Sequence, residues 1–384
     1  MRFPVILFLA LALGACAVAP PAADVADRFF ADSLFRAPSA PVDPAAVLAP
    51  SEAMRRYAAA EIAPLAGTRS RQQALVDALR SKAHLKLEYD GAYTRNAAQA
   101  FEARSGNCLS LVIMTAALAK EMGVEVRFQN VVVEDAWSRQ GNLYFLVGHV
   151  NLTLGTRPPA LGTRLHEGES LTVDFLPPPE LRGIHWRTID ERTILAMYMN
   201  NRAAESLAGG RTDDAYWYAR EAIRQDPAFL AAYNTLGVVY HRHGQATRAE
   251  RVFAYALERE PRNTHVMSNL VPVLASLGRV QESLALERRL AELEPEPPFG
   301  YFNEGLAAMR RGDFRAARDL FAKEVGRAPY YHEFHFWLAL ALANLGDEAG
   351  ARRHLAVALE TSTTRTDHDL YAAKLQRITS SRLH

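Results

Sequence analysis

Three residues near the middle of the chain have the types and spacing for nucleophilic chemistry. Cys108 follows Ser105-Gly106-Asn107 and opens an apolar run that Gly123 closes. That pattern predicts a helix over 108–122 with the thiol at its N-terminus. There the backbone N–H groups and the helix dipole favour a thiolate. His149 lies in Gly148-His149-Val150-Asn151-Leu152, and Asp174 in Leu171-Thr172-Val173-Asp174-Phe175. A thiol nucleophile needs a base to take its proton and a third group to orient that base. Neighbouring antiparallel strands can set His149 beside Asp174, and a helix packed across them can bring in Cys108. Each residue also has a structural reading: a buried small hydrophobe, a satisfied core histidine and a cap for the Pro177-Pro178-Pro179 turn.

The elements that must position these residues follow from periodicity. Residues 51–65 and 69–85 are patterned as helices, with Ser51 capping the first and Thr68 or Ser70 the second. A short helix over 95–104 leads into the Ser-Gly-Asn turn. After Gly123 the period changes to that of strands. Val124–Val133 and Leu143–Leu154 read as a hairpin joined at Ser138–Asn142. Thr156–Glu169 is a loop, and Ser170–Phe175 a third strand. Helices followed by an antiparallel sheet give an α+β region over 51–190.

The remainder, 191–384, is a repeat. Prolines at 227, 261, 295 and 329 and glycines at 210, 244, 278, 312 and 346 both step by 34 residues. That is the tetratricopeptide period, one helix pair per unit, and it predicts an all-α solenoid of about five units. The clearest unit holds Leu236, Gly237, Tyr240, Ala249, Phe253, Ala256 and Pro261. The third is the weakest, with Pro272 inside its first helix. Such an array implies a protein or peptide partner. Phe299 and Phe302 are candidates to line its groove. Asn201, Asn269 and Asn303 share one repeat position, and would either bond a bound extended chain or bond helix to helix within the stack.

The N-terminus reads as a targeting segment. Arg2 and the apolar run Phe3–Gly14 suit a signal peptide over 1–15 and are too short for a comfortable membrane span. Leu13-Gly14-Ala15-Cys16 resembles the bacterial lipoprotein lipobox. That resemblance implies cleavage before Cys16, acylation of its sulfur and a membrane anchor. With Ala at 17 it also implies outer-membrane sorting with the body facing the periplasm. Residues 16–50, rich in Ala and Pro, read as a lipidated tether. Lys plus Arg number 44 against 43 Asp plus Glu, a net charge of +1 that leaves no electrostatic footprint for nucleic acid. With only two cysteines and Cys16 assigned to lipid, no disulfide framework is expected. The spacing of His166, Glu167 and Glu169 is poor for a metal, so neither metal nor cofactor is expected.

Over about residues 85–180 the chain resembles the transglutaminase-like superfamily of papain-like cysteine domains. The resemblance rests on Arg104-Ser105-Gly106-Asn107-Cys108, the apolar helix ending in Gly123, Gly148-His149 and Val173-Asp174-Phe175. It implies Cys108 as nucleophile, His149 as general base and acid, and Asp174 as the group that orients the imidazole. Animal crosslinking members have tryptophan directly after the cysteine, where this chain has Leu109, so crosslinking is not the expected reaction. The expected activity is hydrolysis of peptide or other amide bonds through a thioester. Two alternatives stand beside it: a catalytically silent lipoprotein scaffold for envelope proteins, and a transamidase or acyltransferase using the same triad. The Cys108 backbone N–H would be one oxyanion donor; Tyr89, Tyr93 and Asn107 are candidates for the second.

Overall fold

The computed structural model describes residues 26–67, 69–80, 85–132, 137–140, 143–146, 149–155, 170–175 and 185–380. The expectations for Cys16, the signal segment 1–15, the loop 156–169 with His166, and Pro177-Pro178-Pro179 fall outside those residues. A mixed α/β region comes first. Its helix α1 (Glu52–Tyr57) is capped by Ser51, whose Oγ accepts from the Met54 N–H at 3.3 Å. In α2 (Arg71–Arg80) the Ser70 Oγ accepts from the Gln73 N–H at 3.2 Å. Strand β1 (Glu88–Tyr89) runs parallel to β2 (Ser105–Gly106), with α3 (Ala97–Ala103) between them in sequence.

Next comes α4 (Cys108–Glu121), buried on every side from Cys108 to Ala119. Gly123 ends it in the left-handed region at φ +66, and the Val124 N–H returns to the Ala119 carbonyl at 2.8 Å, closing a Schellman-type cap. Helix α4 packs on the central sheet, whose strands are β3 (Val126–Val132), β6 (His149–Leu154), β7 (Leu171–Val173) and β8 (His185–Ile189). All pairings are antiparallel, in the order β7-β6-β3-β8. The expected hairpin is divided in two. β4 (Trp137–Gln140) and β5 (Leu143–Leu146) pair with each other as a separate two-stranded ribbon, and β6 alone pairs with β3. β8 was not expected. Its middle residues are exposed, with Trp186 at 60%, so it has little of the apolar alternation that marks a half-buried strand.

The second region is the helical repeat array. Five pairs follow: α5 (Glu191–Ala208) with α6 (Thr212–Gln225), α7 (Leu230–Arg242) with α8 (Ala246–Arg259), α9 (Thr264–Ser276) with α10 (Val280–Leu293), α11 (Gly300–Arg310) with α12 (Phe314–Arg327), and α13 (His332–Asn344) with α14 (Glu348–Glu360). A final helix, α15 (Arg365–Ser380), closes the array. The glycine series has a backbone cause. Gly210, Gly244, Gly278, Gly312 and Gly346 all hold φ between +73 and +82 at the turn inside each pair, a conformation L side chains resist. Gly237 and Gly305 serve packing instead: a Cβ there would lie 2.4–2.5 Å from the rings of Phe253 and Phe321.

One junction of the array is open. Successive pairs pack through α6–α7, α8–α9, α12–α13 and α14–α15, but α10 and α11 scarcely touch. The cause is local. At the repeat position filled by Phe253 and Phe321 the third unit has Glu287, which is exposed. Pro297-Pro298, with Phe299 held at φ +59, delays the start of α11 to Gly300. Val280 and Leu284 on α10 therefore stay 52% and 45% exposed. The hydrophobic core runs unbroken from Ala26 through the α/β region to Leu274, and two separate clusters serve the last two units.

Residues 26–50 correct the expectation of a tether. Residues 26–39 form a strap bound to the first two repeat units, and the Val47 carbonyl accepts the Ala97 N–H of the α/β region at 2.9 Å. Phe35 stacks on Tyr216 with ring centroids 3.9 Å apart, and Phe29 packs against Tyr233 and Tyr255. Tyr240 Oη donates to the Phe29 carbonyl at 2.6 Å, and Trp217 Nε1 to the Arg36 carbonyl at 2.6 Å. The Ser39 N–H and Oγ each donate to Asp214 at 2.7 Å. Alanine and proline content alone suggested a loose segment, but burial of Phe29 and Phe35 gives it a fixed place. Truncating Phe35 to alanine should destabilise the fold by about 3 kcal/mol, the usual cost of deleting a buried aromatic ring. Urea unfolding measures this; a free tether would give no change.

Candidate functional site

The site is assembled where the start of α4 meets β6 and the end of β7. Gly106 permits the approach of the β2 turn to the helix, because a Cβ there would fall 2.6 Å from the Ser110 Cβ. Asn107 is the N-cap. Its Oδ1 accepts from the Ser110 N–H at 2.9 Å and from Ser110 Oγ at 2.8 Å. Cys108 is the first helical residue and is 6% exposed.

His149 and Asp174 come together. His149 Nε2 lies 2.7 Å from Asp174 Oδ1, with the imidazole 3% exposed. The other side of the ring is hydrogen-bonded to Cys108. With Nε2 taken by Asp174, that contact falls to Nδ1. Burial by itself would lower the imidazole pKa. The hydrogen bonds and charges of Asp174 and Cys108 oppose it and raise the value from 6.5 to about 9. The side chain is therefore an imidazolium at neutral pH, facing a carboxylate on one nitrogen and sulfur on the other.

Asn151 is a member of the site that sequence reasoning missed. It sits two residues after His149 and so shares its face of β6. Extending the β6–β7 register from the Leu152–Val173 pair places Asn151 opposite Asp174. Its Nδ2 donates to Asp174 Oδ2 at 2.8 Å, so both carboxylate oxygens are engaged. The signal was present in the sequence: His149, Asn151 and Thr153 alternate with Val150, Leu152 and Leu154. A strand with a polar face normally shows it to water, yet all six residues are buried. Gln129, Thr153 and Thr172 extend this polar face, with Gln129 Nε2 donating to Thr153 Oγ1 at 3.2 Å.

The other predicted residues fare differently. The Asn107 amide is committed to capping and to a bond from Nδ2 to Thr94 Oγ1 at 2.9 Å, which removes it as an oxyanion donor. Tyr89 and Tyr93 are exposed, at 43% and 59%. Phe299 and Phe302 do not line a groove. They are 2% and 0% exposed and pack with Phe321, Phe334 and Tyr331 in the core of the fourth and fifth units. Asn269 bonds helix to helix, Nδ2 to Asn234 Oδ1 at 3.0 Å. Asn201 reaches outside the array, Nδ2 to Thr94 Oγ1 at 3.3 Å, while Asn303 is exposed. Among the described residues no group of three or more His, Cys, Asp or Glu side chains could hold a metal ion. Nor is any described helix long and apolar enough to cross a membrane.

Comparison with known proteins identifies the second region. The tetratricopeptide repeat family model matches residues 236–298 and 302–365. Similar solved structures include YrrB, a TPR protein with an unusual peptide-binding site, at 22% identity over 47% of this chain and 92% of that one, with a TM-score of 0.25. TTC0263, a thermophilic TPR protein of Thermus thermophilus, is 19% identical over 47% of this chain and 99% of its own, with a TM-score of 0.31. Yeast Tom70 is 15% identical over 49% of this chain and 40% of its own, with a TM-score of 0.35. No curated protein matches the sequence.

The raised imidazole pKa carries a stability consequence. Stabilisation by the charged His149 is fully present below 6.5, the ordinary imidazole value, and is lost as pH rises through about 9. The unfolding free energy should therefore fall between pH 6.5 and pH 9. That component of the decline should vanish in a His149→Gln variant, as denaturant titrations at stepped pH would measure.

Proposed function

We propose that the tetratricopeptide-repeat region in the C-terminal half of the chain binds a protein or peptide. We propose that the α/β region before it is a transglutaminase-like cysteine acyl-transfer domain that hydrolyses peptide or other amide bonds. One observation carries the reading: a buried imidazole bonded to Asp174 on one side and to a cysteine at a helix N-terminus on the other. In the reaction the Cys108 sulfur attacks the amide carbonyl carbon. The C–N bond breaks, and the leaving amine takes the His149 proton. Water then attacks the thioester, giving its proton back to His149 as the C–S bond breaks. Asp174 holds the ring and balances its charge throughout, and Asn151 holds Asp174. The Cys108 N–H, at the first helical position where a helix leaves its donors without an intrahelical acceptor, supplies one oxyanion contact. The repeats hold the protein or peptide that carries the scissile bond.

A second reading keeps the fold and discards the chemistry, making the protein an envelope scaffold. What favours it is the burial of Cys108 and His149, 6% and 3% exposed. Iodoacetamide decides between the two. On the enzyme reading it alkylates Cys108 of the native protein faster than a free thiol at neutral pH, and His149→Ala slows the reaction by about tenfold or more. An inert Cys108 sinks the enzyme reading and leaves the scaffold. Mass analysis of products then separates hydrolysis from transfer to an added amine.

We also propose that the protein is a lipoprotein anchored through Cys16, sorted to the outer membrane and facing the periplasm. The lipobox resemblance supports this, and the strap adds a geometric consequence. Nine residues separate Cys16 from the strap's start at Ala26, a span of about 35 Å when fully extended, which keeps the first repeat units close to the bilayer. Growth on an alkyne fatty acid should label the wild-type chain and leave Cys16→Ser unlabelled; equal labelling of both would refute the anchor.

A further inference from the structure

The segment between β1 and α3 joins the thiol site to the repeat array. Thr94 lies at its centre and is 2% exposed. Its Oγ1 accepts from Asn107 Nδ2 at 2.9 Å and from Asn201 Nδ2 at 3.3 Å. Its N–H donates to Glu205 Oε1 at 2.7 Å, and its hydroxyl hydrogen goes to the same carboxylate. A hydroxyl has one hydrogen and two lone pairs, and all three are used. Glu205 is a residue of α5, the first helix of the first repeat unit. Its other oxygen takes the Arg202 guanidinium at 2.8 Å. Arg95, next along the chain, donates its N–H to Ser110 Oγ at 2.8 Å, so the segment also grips the first turn of α4 directly. A few residues earlier, the Gly91 N–H donates to the Thr363 carbonyl at 2.7 Å, in the turn between α14 and α15. The segment that flanks Cys108 is thus bonded to both the first and the last units of the array.

We propose that Glu205 of the repeat array is a positioning residue for Cys108, acting through Thr94 and the Asn107 cap. The chain of contact is short. Glu205 accepts the Thr94 N–H and hydroxyl, Thr94 fixes the Asn107 amide, and Asn107 caps the turn that carries the thiol. Each link is a hydrogen bond within 3 Å between groups that are buried or half-buried. The Thr94 bond to Nδ2 holds the Asn107 amide in the orientation that turns Oδ1 toward Ser110. The array is therefore a structural part of the thiol site as well as a binding surface. The proposal rests on the thiol reading given above.

The test measures the rate of Cys108 alkylation by iodoacetamide at neutral pH, beside the melting temperature, in the full-length protein. Thr94→Val removes the hydroxyl and keeps the shape. Glu205→Gln keeps the shape and removes the charge. Each should slow alkylation by about tenfold, the rate equivalent of roughly 1.4 kcal/mol. Thr94→Ser should restore the wild-type rate, which a loss of general stability would not predict. Where Thr94→Val does not fold, Glu205→Gln carries the test alone. Wild-type rates in Glu205→Gln and Thr94→Val, with alkylation still dependent on His149, overturn this proposal and leave the thiol reading standing. An inert Cys108 in the wild-type protein overturns both.

Discussion

Much of the described structure depends on the side chain of Asn107 and the way its two ends are committed. Its oxygen closes the first turn of α4, and its amide is tied to Thr94. A helix start leaves several backbone N–H groups without acceptors, and in a helix as buried as α4 water cannot supply them. The cap is therefore a structural necessity before it is a functional one. Once Asn107 is fixed, the position of Cys108 relative to β6 is fixed too, and the imidazole of His149 meets it there. Gly106 is the complement of this arrangement, since any side chain at that point would collide with Ser110.

The His149–Asp174 pair shows how such a site can be buried at all. An ionised carboxylate out of water is costly unless its lone pairs are occupied. Here one oxygen takes the imidazolium and the other takes Asn151. The polar residues of β6 and β3 on the same face continue the pattern, bonding to one another across the strands. A strand with one polar and one apolar face usually separates water from core. Burying both faces instead creates an enclosed polar strip, the low-dielectric setting in which charge pairs act most strongly.

The parts of this fold legible from the sequence are those set by local rules. The 34-residue glycine series could be read because each glycine sits at a left-handed turn that other residues resist. Gly123 ends α4 for the same reason. The alternation in β6 gave a strand; Pro272, by contrast, sits inside a helix that runs unbroken from Thr264 to Ser276, and the weakness of the third unit lies at Glu287 and Pro297-Pro298 instead. What escaped depends on partners distant in sequence. The strap reads as a tether because the aromatic rings that bury Phe29 and Phe35 come from the repeats, far along the chain. Phe299 and Phe302 look like groove residues until the rings of Phe321 and Phe334 enclose them. The alternation in β6 puts Asn151 on the face of His149, but its bond to Asp174 depends on a register across two strands that the alternation does not fix.

The open junction between α10 and α11 gives the array an unusual mechanical character. A regular solenoid transmits force from unit to unit, because each pair buries its face on the next. Here the first three units share one core with the α/β region, and the last two have cores of their own. The Glu294-Pro295-Glu296-Pro297-Pro298 linker between them is not loose. Arg327 Nη2 donates to the Glu296 carbonyl at 2.8 Å, and the buried Glu324 accepts the Phe302 N–H at 3.1 Å, replacing the cap that the shortened helix start lost. So the break lies between two well-ordered bodies, and the second body returns to the first through Thr363 and Gly91. A linear stack is thereby closed back on the segment that leads to Thr94.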